Sequence, residues 1–570
     1  MNAPRRATTD PLMRIETARC ELGQTDVRRG VARAVVAAFL TAVTLPSLAQ
    51  LTFAPSLVTT MLTTVWGGLT PTQRDSTTLA LDGLIERNRA LLAAIQDVDD
   101  LIADESLATR LVRPTVQLAL TGLGAGTTQV HHGRRGWLFF APDVTYVTGP
   151  GLLEPREFRR RAAAGDSLAV APHPDPRPAL DDLYTQLARR GIALVVMPTP
   201  VKPTVEAEQL GRPRRPRERL PTNASYRALI DGLRDRGRLV FDVAQTLAME
   251  KARLDQPLYL ATDTHWRPDT VALVAAQLGS FLIEHRVVPE QATASYRAGR
   301  AWVTNLGDTA RLLGLPAGWS NFGPERVTTR PITTTDGQPW QPDPTADILL
   351  LGDSFTNVYS LEAMGWGTGA GLAAQLSFVL QRPVDRLAQN ADGAFASREL
   401  LAAELRRGRD RLASKQVVIL QFATRELGLG DWRLVDLAAT TLPRATSFLR
   451  PTAGRQLDVR GTIREIARIP RPGTVPYKDH IVGLHVTDMT TETSGVEVDG
   501  TELLVYVWSM RDDELTAISQ YLAGDAIRLH LEPWANVADE LDGINRDEVT
   551  DPSARFAEPW WGQLQAEESP

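Results

Sequence analysis

The pattern of apolar positions along the chain changes character several times. The first long apolar run, residues 34–54 (AVVAAFLTAVTLPSLAQLTFA), carries no charged side chain. At about 1.5 Å per helical residue it is long enough to cross the hydrocarbon core of a bilayer. Between 75 and 104, Leu81, Leu84, Leu91, Ile95, Val98 and Ile102 recur at helical spacing with Asn88 in the seam. That predicts an amphipathic helix, acting as a stalk, pairing with a second copy or packing on its own domain. From about 129 the pattern becomes short, nearly unbroken apolar runs (191–197, 347–351, 416–421) alternating with helical patterns at 270–284 and 398–405. Unbroken runs mark strands covered by helices on both faces, so a parallel α/β sheet is expected. Beyond 451, the runs 457–466, 480–486, 503–508 and 526–531 are separated by turns rich in proline and glycine, which predicts a small all-β barrel or sandwich. The expected organisation is a disordered leader over 1–30, a membrane anchor or signal segment over 31–54 and a helical stalk over 55–125. A catalytic α/β domain over 126–450, a β-domain over 451–547 and an unassigned acidic tail over 548–570 follow.

Charge adds an orientation. Arg28, Arg29 and Arg33 stand just before the first apolar run, and the positive-inside rule places that end in the cytoplasm and everything after it outside. A cleaved signal would use Ser47-Leu48-Ala49; an uncleaved anchor is favoured because apolarity continues past that site. The whole chain has 62 basic and 68 acidic side chains, a formal net charge of -6, with no basic run interleaved with aromatics and no zinc-finger spacing. Nucleic acid is therefore not an expected partner. The single cysteine, Cys20, excludes an internal disulfide framework and a thiolate metal cluster.

Residues 349–356 read LLLGDSFT, a buried strand followed by Gly352-Asp353-Ser354 at its carboxyl end, the edge where open α/β sheets bind ligands. A serine on such a turn presents its hydroxyl to a crevice while nearby backbone amides face an oxyanion. Among the 8 histidines, only His265 sits in a suggestive setting, Thr262-Asp263-Thr264-His265-Trp266. In an extended segment, residues two apart project to one side. Asp263 then accepts the imidazole Nδ1–H, leaving Nε2 to take the Ser354 proton. The plainer alternative has Asp263 capping the next helix and His265 filling a polar gap. No metal is expected, since no His-x-x-x-His pair accompanies these residues. Gly365–Gly371 (GWGTGAG) lacks the strand and the Lys-Ser/Thr of a phosphate loop and is expected to allow close packing behind Ser354.

Gly136-Trp137-Leu138-Phe139, Pro198-Thr199-Pro200-Val201-Lys202, Asp263-Thr264-His265-Trp266, Gly352-Asp353-Ser354-Phe355, Met364-Gly365-Trp366-Gly367 and residues 422–427 (FATREL) span roughly 130–435. In this order they resemble the AlgJ/AlgX-like family of SGNH-hydrolase-like polysaccharide O-acetyltransferases, in which Asp-x-His precedes the serine block, a circular permutation of ordinary SGNH esterases. The resemblance implies Ser354 as nucleophile, His265 as general acid/base and Asp263 as its orienter. It makes Asn390 and Gly393, after the strand expected at 384–388, candidate oxyanion donors. It sets Arg425 facing the site, with a buried pair to Glu426 or Asp431 as the alternative. The usual Gly-x-Asn-Asp block is absent. The resemblance further implies an exported polysaccharide as acceptor, a membrane-bound O-acyltransferase as acetyl donor, no cofactor, and a place at the extracytoplasmic (periplasmic) face of the inner membrane. A carbohydrate acetylesterase and a catalytically silent glycan-binding scaffold are the rival readings. The last β-domain lies outside the resemblance and is expected to be barrel-like, of OB type. There Trp508, Trp534, Tyr477 and Tyr506 are a sugar-stacking face or, more commonly for such residues, core. Trp266 and Trp366 are expected either to shape and dry the cleft or to be core.

Overall fold

The uncharged run folds as helix α1 (Arg29–Phe53), with Pro46 inside it. Among the described residues α1 is the one helix long and apolar enough, by length and composition, to cross a membrane. This computed structural model describes residues 28–53, scattered positions between 55 and 102, and residues 106–565 apart from short interior stretches, chiefly 164–172, 212–219, 316–321, 439–446 and 494–499. The expected leader up to residue 27 and the stalk-seam positions Leu81 and Leu84 lie outside the described residues, while Asn88, Leu91, Ile95, Val98 and Ile102 of that seam are helical, as expected. The chain divides into two compact units, residues 1–116 and 117–570.

The larger unit holds both of the expected sheets. In the first, β1 (Ala193–Thr199), β2 (Leu239–Val240), β3 (Ile348–Gly352), β4 (Asp385–Ala388) and β5 (Val417–Ala423) lie in the order β4-β3-β5-β1-β2. Every neighbouring pair is parallel. All residues of β3 and β5 are buried, as their unbroken apolar runs require. Full burial of each Leu, Ile or Val contributes roughly 1.5–3 kcal/mol, so the middle of this sheet is its most stable part. Helices α2 (Pro176–Ala188), α3 (Pro268–Glu284), α4 (Leu372–Leu380) and α5 (Ala396–Arg406) cover it, with α3 packed on α4. Because all five strands run the same way, the segments that follow β1, β3, β4 and β5 emerge at one sheet edge. That edge carries the candidate chemistry.

The second sheet is barrel-like. Strands β6 (Leu457–Ile466), β7 (His480–Thr491), β8 (Leu503–Arg511), β9 (Ala526–Pro533), β10 (Asn545–Asp547) and β11 (Pro559–Leu564) build it. The sheet order, with an extra β7–β8 pairing, closes the ring β6-β7-β8-β11-β9-β6, while β10 lies against β7. Strand β9 alternates between buried and more open positions along its length, as a strand with one face on a core does. One expectation is corrected here. The β-structure does not stop at 547, since Pro559–Leu564 supplies the strand that closes the ring between β8 and β9. Of the two readings of the barrel aromatics, the commoner one, core, holds for Tyr506 and Trp534, which are buried with their rings meeting edge to face at 5.0 Å, while Trp508 and Tyr477 are half-buried.

Candidate active site

Ser354 opens a four-residue helix directly after β3. The turn is fixed from three sides. Asp353 caps it, accepting from the Phe355 amide at 2.9 Å through one oxygen and from the Ala423 amide at 2.7 Å through the other. Gln421 of β5 accepts from the Asp353 amide and from the Thr356 hydroxyl, and its amine donates to the Thr199 hydroxyl of β1. Gly352 allows the tightness of the turn, since a Cβ there would lie 2.2 Å from Thr356 Oγ1. Three parallel strands thus hold one serine.

Asp263 and His265 lie on the irregular segment 258–266, pinned along its length. The Glu206 carboxylate accepts from the Leu258 amide and the Glu325 carboxylate from the Ala261 and Thr262 amides. Lys202, wholly buried, donates to the carbonyls of Leu138, Ala261 and Asp263. Gly307 allows the 307–308 turn to approach, since a Cβ there would sit 2.0 Å from the Thr262 carbonyl oxygen. On this frame His265 Nδ1 lies 2.7 Å from Asp263 Oδ1. The other carboxylate oxygen accepts from Trp366 Nε1 at 2.9 Å and from the Asp308 amide at 3.0 Å. The glycine-rich segment therefore does more than allow close packing: it delivers a buried indole N–H to Asp263. Phe355, next to Ser354, packs its ring edge-on against His265 at 4.9 Å, so the serine turn and the histidine segment touch. His265 Nε2 is buried and has no hydrogen-bond partner among the described residues.

The electrostatics follow from this wiring. Burial alone would push Asp263 up, but the hydrogen bond and charge of His265 and the Trp366 N–H outweigh it and hold the carboxyl far below the usual range. Burial pulls His265 down, but the Asp263 hydrogen bond and charge prevail and raise it above 6.5. Asp308, behind the pair, is pushed up by burial and then by the Asp263 charge. Asp263, His265 and Asp308 are close enough together to suggest a metal site. The carboxylates are largely committed to N–H donors: Asp263 faces four, and one Asp308 oxygen accepts from the amides of Thr264 and Thr309. That donor set fits a proton relay better than a cation.

Ser354, His265 and Asp263 line a common cavity of about 450 Å³ together with Asn390 and Arg425. Asn390 accepts from Asn357 Nδ2 at 2.9 Å, which leaves its own amine as the group to offer an oxyanion. Gly393 opens a short 3-10 turn whose Phe395, rather than Gly393 itself, lines the cavity. Arg425 is paired chiefly with Asp143 at 3.0 Å, with Glu426 at 3.4 Å; Asp431 instead meets His173 and Arg433. Burial pushes Glu426 up to about 7. Sequence reasoning gave no role to Asp143, Lys202, Asp308 or Glu325. The legible signal was charge inside otherwise apolar motifs, Lys202 in PTPVK above all. For Lys202→Met, three buried carbonyls lose their donor at about 1–3 kcal/mol each in the unrelaxed limit. We expect a loss of at least about 2 kcal/mol in denaturant unfolding and a fall in kcat through the displaced Asp263.

A family model described as "SGNH hydrolase-like domain, acetyltransferase AlgX" matches residues 130–424. No curated protein matches the chain. Among solved structures, the O-acetyltransferase domain of Pseudomonas putida AlgJ is similar at 20% identity, covering 52% of this chain and 92% of that one, with a TM-score of 0.39. Pseudomonas aeruginosa AlgX is similar at 17% identity over 71% of this chain and 91% of that one, TM-score 0.39. Bacillus cereus PatB1 is similar at 11% identity over 53% and 98%, TM-score 0.32. Since the model spans just over half of its length and contains every residue of the Ser354–His265–Asp263 constellation, the chain belongs to the SGNH hydrolase-like, AlgX-type acetyltransferase family.

Proposed function

We propose that this protein O-acetylates hydroxyls of an exported polysaccharide through an acetyl-Ser354 intermediate. The observation that carries the reading is His265 Nε2: buried and unpartnered, it belongs to a ring held by Asp263 at Nδ1 and shares a cavity with Ser354. An acceptor nitrogen kept free in this way is what a general base requires. Ser354 Oγ attacks the acetyl carbon of the donor as His265 Nε2 takes the hydroxyl proton. The oxyanion faces Asn390 and the amide at the start of the serine helix. Collapse expels the donor's leaving oxygen, which takes the proton from His265, and acetyl remains on Ser354. A sugar hydroxyl then attacks, gives its proton to His265, and a second collapse returns that proton to Ser354 Oγ.

The family supports acetyl transfer in general, and α1 supports attachment to, or export through, a membrane. We read α1 as an uncleaved anchor holding the chain at the extracytoplasmic face, with a membrane O-acyltransferase supplying acetyl. Transfer is tested by supplying an acetyl ester with and without oligosaccharides or native exopolysaccharide. O-acetylated sugar detected by mass spectrometry is the expected product. Equal release of free acetate with and without glycan, and no acetylated sugar, would assign hydrolysis instead.

A further inference from the structure

The cavity around Ser354 is not made by the α/β domain alone. Tyr477, Asp479, Ile544 and Asn545 of the barrel complete its wall. Taking β6, β7, β8, β9 and β11 as strands one to five, the ring runs one-two-three-five-four, with the third and fifth parallel. Tyr477 and Asp479 belong to the connection between the first and second strands, Ile544 and Asn545 to that between the fourth and fifth. Those two connections are the ligand-binding loops of five-stranded OB-type barrels, which take up oligosaccharides and oligonucleotides. A carboxylate at this wall, Asp479, disfavours a phosphate backbone.

Asn545 carries the argument further. It is 2% exposed, and neither Oδ1 nor Nδ2 of its side chain has a hydrogen-bond partner among the described residues. A buried amide with both ends unpaired is uncommon, because desolvation without replacement bonds is costly. Its position is fixed: β10 pairs with β7 at His480, and Gln389 Nε2 donates to the Arg546 carbonyl at 2.9 Å. Gln389 directly precedes Asn390, so the barrel wall and the oxyanion segment are joined. An acetyl group leaves most of the cavity of about 450 Å³ unfilled. One donor and one acceptor on a rigid strand match sugar hydroxyls, each of which donates and accepts.

We propose that Asn545, with Tyr477 and Asp479, forms the acceptor-sugar subsite of the Ser354 cavity, its amide hydrogen-bonding hydroxyls of the glycan. This rests on the acyl-transfer reading. The test uses the full chain with Asn545→Leu and Asn545→Asp, an acetyl ester as donor and an oligosaccharide series as acceptor. The readouts are acceptor KM, the partition of acetyl between glycan and water, and Tm. The expected result is an acceptor KM raised roughly tenfold or more in both variants, and a partition shifted toward free acetate, as losing a hydroxyl-binding group entails. Asn545→Leu should not lower Tm, because its side chain makes no hydrogen bond among the described residues. An acceptor KM within about twofold of wild type, the spread of an unrelated substitution, overturns the proposal. So does a drop in Tm in both variants, which would make the amide a structural group. Wild-type protein that acetylates no glycan overturns the acyl-transfer reading itself, a result seen before any variant is made.

Discussion

Ser354→Ala is expected to abolish acetyl transfer, lowering kcat/KM for an acetyl ester by roughly 10⁴-fold or more. The magnitude follows from what the serine turn is built to do. Capping by Asp353, anchoring by Gln421 and the close fit at Gly352 hold one hydroxyl at the edge of the sheet. None of these contacts uses Oγ of Ser354, so the variant should fold normally and lose chemistry alone. Folding is checked by thermal unfolding and chemistry by turnover. Wild-type turnover in a folded Ser354→Ala protein would remove the serine from the mechanism.

Asp263→Asn is expected to lower kcat by about 10³–10⁴-fold, because an amide favours the wrong imidazole tautomer and removes the charge that supports the imidazolium. It also changes the pH profile in a defined sense. The base form of His265 exists only above its pKa, which Asp263 raises past 6.5 against the pull of burial. The ascending limb of kcat/KM should therefore lie above 6.5 in the wild type. Without the carboxylate, burial dominates and the limb should fall below that value. Stability has its own signs. The raised His265 stabilises the fold fully below 6.5, and that contribution is lost as pH rises through its folded value. The depressed Asp263 stabilises above its ordinary 3.8, and that contribution is lost as pH falls toward its much lower folded value. An ascending limb unmoved by Asp263→Asn would return Asp263 to a purely structural role.

Much of this was legible in the chain. Unbroken apolar runs identified β3 and β5 because strands covered on both faces have no polar side to show, and the Gly-Asp-Ser turn followed from its place at the end of one. Asp-x-His was legible as a pair from its spacing, but not through the extended backbone expected: the segment bends, and Asp263 Oδ1 accepts from both the amide and the ring of His265. Long-range partners were not legible. Asp143 meets Arg425 across 282 positions and Lys202 reaches carbonyls some 60 positions away on either side, distances at which local periodicity carries no signal. Trp366 was singled out as an aromatic, yet its role depends on an N–H direction that composition does not encode. The strand 559–564 was missed because its company of Pro559 and Gly562 resembles a loop. It is a strand because β8 and β9 flank it.

If acetyl passes through Ser354, the acyl-enzyme can be trapped. The most direct measurement is to mix the protein with an acetyl ester, quench in acid during turnover, and map the modified peptide by mass spectrometry. One acetyl group is expected on the peptide containing Ser354, accumulating without glycan and discharged when acceptor oligosaccharide is added. Product formation with Ser354 unmodified throughout, or acetyl carried on another residue, would contradict passage through Ser354.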